Sequence, residues 1–66
     1  MRTSWIEWVE PYGPNNEPVY MRVRIETAIA HTRANAAKKG YEYKSDAEAL
    51  EDFITVNWGR RIELDT

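Results

Sequence analysis

The amino-acid sequence predicts a small α+β domain, in which an N-terminal β-hairpin precedes two packed α-helices and a short C-terminal strand or ordered tail. Two observations predict this class: apolar and polar residues alternate over residues 19–25, and a capped amphipathic pattern begins at Ser45. The chain has 66 residues, which is near the lower size at which a core forms without metals or disulfides. We therefore expect a single domain, residues 1–66, that is marginally stable or assembles into a homodimer or higher oligomer.

The hairpin is predicted over about residues 4–25. Trp5 to Glu10 is rich in aromatic and β-branched residues and ends at Pro11. The loop 11–18 contains three prolines, a glycine and two asparagines, which neither regular structure tolerates. Alternation then predicts two sets of side chains. The set that points toward the core is Val19, Met21, Val23 and Ile25, and the set that points away from it is Tyr20, Arg22 and Arg24. The alternative is that the following helix extends upstream to Glu17.

Two helices are predicted after the hairpin. The first covers about residues 27–39, which are rich in alanine, and Gly40 follows two lysines of its last turn. The second covers about residues 46–58, because Ser45 and Glu48 form a capping box. Trp58 lies on its apolar stripe and is predicted to anchor the core, with a binding surface as the alternative, and Gly59 is expected to stop the helix. The last segment, residues 60–66, is the predicted strand or tail.

Composition excludes several classes of function. The chain has no cysteine, so disulfides and thiolate metal sites are excluded. Its one histidine, His31, is expected on the surface, and no phosphate-binding loop or nucleophile motif is present. The carboxylates of the second helix, Glu48, Glu51 and Asp52, are expected to be solvated. We therefore expect no enzyme activity, no catalytic residue, no metal and no cofactor.

Charge and hydropathy predict the cellular location of the protein and two kinds of partner that it does not bind. The net charge is −2, from 9 basic and 11 acidic residues, which disfavours a general nucleic-acid binder. No apolar run approaches the length of about 18 residues that a membrane span needs. We expect a soluble, unprocessed, cytoplasmic protein without a membrane partner.

Aromatic and arginine side chains are the candidate binding residues. Guanidinium groups recognise phosphate or carboxylate, and aromatic rings stack on bases or fill partner pockets. The spacing of these residues does not choose between a host protein and a small nucleotide as the ligand. The predicted partner- or ligand-binding residues are Tyr20, Arg22, Arg24, Tyr41, Tyr43, Trp58, Arg60 and Arg61.

Several segments resemble small uncharacterised proteins encoded by tailed bacteriophages. They are YMRV at Tyr20 to Val23, AIA at Ala28 to Ala30, and YKSDAEALEDFITVNW at Tyr43 to Trp58. The resemblance implies a setting in the bacterial host cell, where such proteins often bind, inhibit or sequester a host component and seldom catalyse. It implies no role for any individual residue.

Three hypotheses follow for the function. The first is a non-enzymatic phage accessory protein that blocks a host defence or another host machine by occupying its surface. The second is an oligomeric sponge that holds a nucleotide signal between aromatic rings and arginines. The third is a structural or assembly protein of the virion.

Overall fold

The computed structural model describes residues 1–11 and 13–65, which form a three-stranded sheet and two α-helices. The elements in chain order are β1 (Arg2–Glu10), β2 (Val19–Arg24), α1 (Ile25–Lys38), α2 (Asp46–Asn57) and β3 (Arg60–Asp65). A short 3-10 helix, Pro14–Asn16, lies in the loop between β1 and β2. Tyr12 of the predicted loop and Thr66 of the predicted C-terminal segment lie outside the described residues. The α+β class is confirmed, and β2 shows that the helical alternative for residues 19–24 is wrong.

The sheet is antiparallel, with the strand order β2-β1-β3. β1 therefore lies in the middle, where Ile6 is opposite both Val23 and Arg61. β3 pairs with residues 2–7 of β1 and extends the hairpin on its free side. This pairing explains why β1 begins at Arg2, upstream of the predicted start of the hairpin.

Both helices pack on one face of the sheet, and this contact forms the core. Ile6, Ala28 and Phe53 are its buried centre. Because Ala28 and Ala49 are small and fully buried, the backbones of the elements approach closely at these positions. The side chains that pack around this centre are Trp8, Val23, Ile25, Leu50 and Ile54.

The molecule is flat and exposes more surface than a typical chain of its mass. Its principal extents are 38 × 32 × 14 Å. Its accessible surface is 5196 Å², whereas a folded monomer of 7.8 kDa is expected to expose about 4,400 Å². Its radius of gyration is 13.3 Å, compared with about 11 Å for a compact domain of this length. A single copy therefore leaves surface exposed that a typical domain would bury.

The two helices end differently. At the end of α1, Gly40 has a φ of 77°, and the amide of Tyr41 donates to the carbonyl of Ala36 at 2.9 Å, as the predicted glycine cap requires. At the end of α2, the left-handed residue is Trp58 instead of Gly59, with φ 55° and ψ 37°. Its side chain is 93% exposed. The prediction that Trp58 anchors the core is therefore wrong, because the left-handed turn directs the indole away from the apolar stripe.

Gly59 is needed for close packing between the start of β3 and the middle of β1. A Cβ atom at this position would lie 3.0 Å from Cγ2 of Ile6 and 3.2 Å from the backbone oxygen of Glu7. Both neighbours are buried in the sheet and have little freedom to move. The absence of a side chain at Gly59 thus allows β3 to join β1. Trp58, and not the predicted Gly59, is the residue at which α2 stops.

Candidate binding surface

The face of the sheet opposite the helices carries half of the candidate binding residues. Because successive side chains of a strand point to opposite faces, the residues paired with Trp5 and Glu7 lie on the same face as these two. We call this surface the open face. Its residues are Thr3, Trp5, Glu7, Val9, Tyr20, Arg22, Arg24, Arg60, Ile62 and Leu64. Among these residues there are three guanidinium groups and one carboxylate.

Glu7 lies at the centre of the open face and joins the three strands. It is 6% exposed, and its cross-strand neighbours are Arg22 on β2 and Arg60 on β3. Arg22 donates from Nε to Oε2 of Glu7 at 2.8 Å. Arg60 donates to Oε1 from Nη2 at 2.8 Å and from Nε at 3.2 Å. One carboxylate therefore holds two guanidinium groups in fixed positions on the surface.

The two arginines also determine the charge state of Glu7. Hydrogen bonds from Arg60 and then Arg22 lower the pKa of Glu7, and this effect exceeds the opposing effect of burial. Glu7 is consequently ionised at neutral pH. One negative charge lies between two positive charges, so this cluster has a net positive charge. The terminal nitrogens of Arg22 have no hydrogen-bond acceptor within the part of the chain that the structure describes, and they can reach an external one.

Trp5 and Arg24 form a second contact on the open face. The guanidinium carbon of Arg24 lies 5.5 Å from the centre of the Trp5 ring, within the range of a cation–π interaction. The indole nitrogen of Trp5 is buried and has no partner among the described residues. Tyr20, which is 64% exposed, lies near the other end of β2. The open face thus combines aromatic rings with positive charge.

The structure brings together four of the eight predicted binding residues. Tyr20, Arg22, Arg24 and Arg60 lie on the open face. The other four do not join them: Arg61 lies on the opposite face of the sheet, where its Nη2 is 3.4 Å from Oγ of Ser4. Trp58 projects from the end of α2, and Tyr41 and Tyr43 lie in the connection between α1 and α2. These two tyrosines therefore lie apart from the open-face arginines.

Sequence reasoning missed Glu7 and Trp5. The alternation in WIEWVE places Trp5, Glu7 and Val9 on one face and Ile6 and Trp8 on the other, so the signal was present. What local sequence did not show is that β1 is central, which gives Glu7 an arginine on each side.

Tyr41 and Tyr43 bind the acidic side of α2. Their rings pack edge to face, with centroids 4.9 Å apart. The hydroxyl of Tyr41 donates to Oε1 of Glu48 at 3.1 Å, and the hydroxyl of Tyr43 donates to Oδ2 of Asp52. Glu48 and Asp52, which were expected to be solvated, thus hold the interhelical connection against α2.

Tyr43 should lose its phenol proton at a higher pH than an ordinary tyrosine. The hydrogen bond to Asp52 raises the pKa of Tyr43 to about 12. Below pH ~10 the phenol is protonated in both the folded and the unfolded chain, so its contribution to stability is complete. Between pH about 10 and about 12 the unfolded chain loses this proton first, and stability should fall.

The measurement for Tyr43 is the tyrosinate absorbance during alkaline titration. Asp52→Asn should move the transition of Tyr43 toward lower pH, because it removes the negative charge that accepts the hydrogen bond of the phenol. Glu51→Gln is the matched control, since it removes a carboxylate from the same helix that does not raise the pKa of Tyr43. An unchanged late transition in Asp52→Asn would contradict the assignment.

A groove of about 640 Å³ lies between α1 and α2. This volume falls within the range of about 300–1,000 Å³ that is typical of ligand pockets. Trp8 and Phe53 pack edge to face beside it, with ring centroids 5.5 Å apart. Among the described residues that line it, Lys39 is the cation and Asp52 the carboxylate. The open-face arginines do not line this groove.

The comparisons with known proteins found no relative. No family model matches the chain, and no curated protein or solved structure matches it. Within residues 1–11 and 13–65, no group of three or more potential ligand side chains is placed to hold a metal ion. Neither described helix has the length and hydropathy needed to cross a membrane.

Proposed function

We propose that this protein is a non-enzymatic accessory protein that binds a host component through the open face and thereby inhibits or sequesters it. One observation carries this proposal. Three arginines and one carboxylate occupy a sheet face that neither helix covers, in a chain whose net charge is −2. Positive charge is thus concentrated on one surface against the overall balance of the chain, which favours electrostatic recognition of an acidic partner.

The chemistry of the open face favours a protein as the partner. Trp5, Ile62 and Leu64 are half-buried and lie among the arginines. Tryptophan, tyrosine and arginine are the residues that most often dominate the binding energy of protein interfaces. We therefore infer that the partner surface combines carboxylates with apolar groups. Three cations are few for binding a nucleic-acid duplex by neutralising its phosphates.

Glu7 has a positioning role in this proposal. It fixes Arg22 and Arg60 before a partner arrives, so less side-chain freedom is lost when the complex forms. The bacteriophage origin and the cytoplasm of the bacterial host as the site of action are part of the same proposal. They rest on the resemblance of the short segments described above.

Reversing the charge of Arg24 should weaken binding of the host partner at least tenfold, a loss of about 1.4 kcal/mol or more, as expected for an arginine at an interface centre. Arg24→Glu leaves the contacts between Glu7, Arg22 and Arg60 in place, so the fold should be retained. Lys38→Glu at the end of α1 is the charge-matched control. The measurement is the affinity for a partner captured from bacterial lysate and then purified. If Arg24→Glu binds as tightly as Lys38→Glu, the open face is not the binding surface.

A nucleotide sponge is the second candidate function, and the aromatic groove between α1 and α2 favours it. Stacking beside Trp8 and Phe53 with a phosphate near Lys39 would suit a nucleotide. A nucleotide that binds only the folded chain should raise its melting temperature. Lys39→Glu should abolish this shift, whereas Arg24→Glu should not. Equal shifts in both variants would contradict binding in the groove.

A further inference from the structure

The outer edge of β3 is free to pair with another strand. β3 pairs with β1 along one side, and no described residue pairs with its other side. Natural proteins protect exposed edges with proline, bulges, charged side chains or very short strands. The sequence of β3, RRIELD, spans 6 residues and contains no proline, lysine or glycine. Its charged side chains carry both signs, so they oppose pairing only where like charges meet and favour it where opposite charges meet.

We propose that β3 pairs antiparallel with β3 of a second copy about a two-fold axis at Ile62, which joins two sheets into one of six strands. In this register Ile62 is opposite Ile62 of the second copy. Arg61 of each copy is opposite Glu63 of the other copy, and Arg60 is opposite Leu64. In each directly opposite pair, both side chains then lie on the same face of the combined sheet, as antiparallel pairing requires.

Charge complementarity selects both the second copy and this register. Pairing about Ile62 forms two reciprocal contacts between Arg61 and Glu63. Pairing about Glu63 would also form two contacts, between Arg61 and Asp65, but it would place two glutamates opposite each other, which is unfavourable. Glu63 is free to change partner, because its contacts with Arg2 at 3.5 Å and with Oγ of Ser4 at 3.4 Å are both long and exposed. The other edge strand, β2, carries Arg22 and Arg24 but no carboxylate, so self-pairing there would form no ion pair.

The exposed area of one copy agrees with a dimer. The accessible surface of 5196 Å² exceeds the value expected for this mass by roughly 800 Å². A standard protein interface buries about 800 Å² from each partner. Pairing along β3 would also cover part of Ile62 and Leu64, which are half-buried in the single copy.

The proposed dimer would enlarge the open face. With the two-fold axis perpendicular to the sheet, both open faces lie on the same side and form one continuous surface. The pairing itself does not depend on the proposed function, since it uses only the outer edge of β3.

The test is a charge exchange across the proposed contact. Arg61→Glu and Glu63→Arg each convert two attractive contacts into two repulsive ones, so each should weaken dimerisation about tenfold or more. The double variant R61E/E63R should restore dimerisation to within about threefold of the original chain, because the opposite charges again face each other. The dimer dissociation constant is measured by sedimentation equilibrium, and circular dichroism checks the fold of each variant.

The internal contact between Glu63 and Arg2 does not produce the same pattern. Arg61 and Glu63 also both contact Oγ of Ser4 within one copy, and the dependence on protein concentration separates that internal coupling from dimerisation. Glu63→Arg loses its contact with Arg2 both as a single change and in the double variant, so restoration in the double variant cannot come from Arg2. Hydrogen exchange adds a second readout, since amides of residues 60–65 should become more protected as the concentration rises. A chain that is monomeric at all concentrations, or a double variant that remains as weak as the single ones, would overturn the proposal. Normal partner capture by a monomer would overturn the dimer but leave the proposed function intact.

Discussion

Replacing Phe53 by alanine should remove about half of the folding free energy of the chain. Phe53 is 9% exposed and packs against Ile6 and Ala28 at the centre of the core, and Trp8 meets its ring edge to face. Removing a buried phenylalanine costs about 3–5 kcal/mol, because the transferred surface and the remaining cavity both destabilise the folded state. A domain of this size has a total stability of only about 3–10 kcal/mol. Among residues 1–11 and 13–65 no other aromatic ring is as buried as that of Phe53, so no neighbouring ring can replace its contribution to the core.

Far-ultraviolet circular dichroism and urea denaturation measure the effect of Phe53→Ala. Val56→Ala is the matched control, since Val56 lies on the same helix and is 69% exposed. This control should change the free energy of unfolding by less than about 0.5 kcal/mol. If both variants unfold at the same urea concentration, Phe53 belongs to the groove wall and not to the core.

Gly59→Ala should produce the second largest loss, about 1–3 kcal/mol of folding free energy. The added methyl group would lie 3.0 Å from Cγ2 of Ile6, which is completely buried, and 3.2 Å from the backbone oxygen of Glu7. Relieving these contacts requires β3 to move away from β1. Such a movement would also weaken the contact between Arg60 and Glu7.

The melting temperature of Gly59→Ala can be compared with that of Gly40→Asn. Gly40 has a φ of 77°, which asparagine tolerates, and a Cβ atom there meets nothing within 4 Å. The melting temperature of Gly40→Asn should therefore be close to that of the original chain, whereas Gly59→Ala should melt several degrees lower. Equal melting temperatures for the two variants would show that the start of β3 has room to shift.

Local patterns in the sequence predicted the elements. Alternation predicted a strand over residues 19–25, and β2 covers all of it except Ile25, which begins α1. The capping box at Ser45 located the start of α2, where the amide of Glu48 donates to Oγ of Ser45 at 3.2 Å. Gly40 marked the end of α1. These signals depend on the conformation of a few neighbouring residues, and the structure therefore agrees with them closely.

The composition of the open face was predicted only in part. Alternation along β2 correctly grouped Tyr20, Arg22 and Arg24, because they are close in sequence. Tyr41 and Tyr43 were misplaced, since their positions depend on hydrogen bonds to α2 across a turn. Trp58 was misplaced because one left-handed residue reverses the direction that helical periodicity predicts.

Local sequence patterns predicted most of the strands and helices and the alternation of side chains along β2. The central position of β1, with Glu7 between Arg22 and Arg60, which are 15 and 53 positions away in the chain, follows from contacts between distant segments. Periodicity reports the local geometry of one element, whereas strand order depends on the free energy of packing distant elements together. The binding surface proposed here arises from this second, non-local contribution.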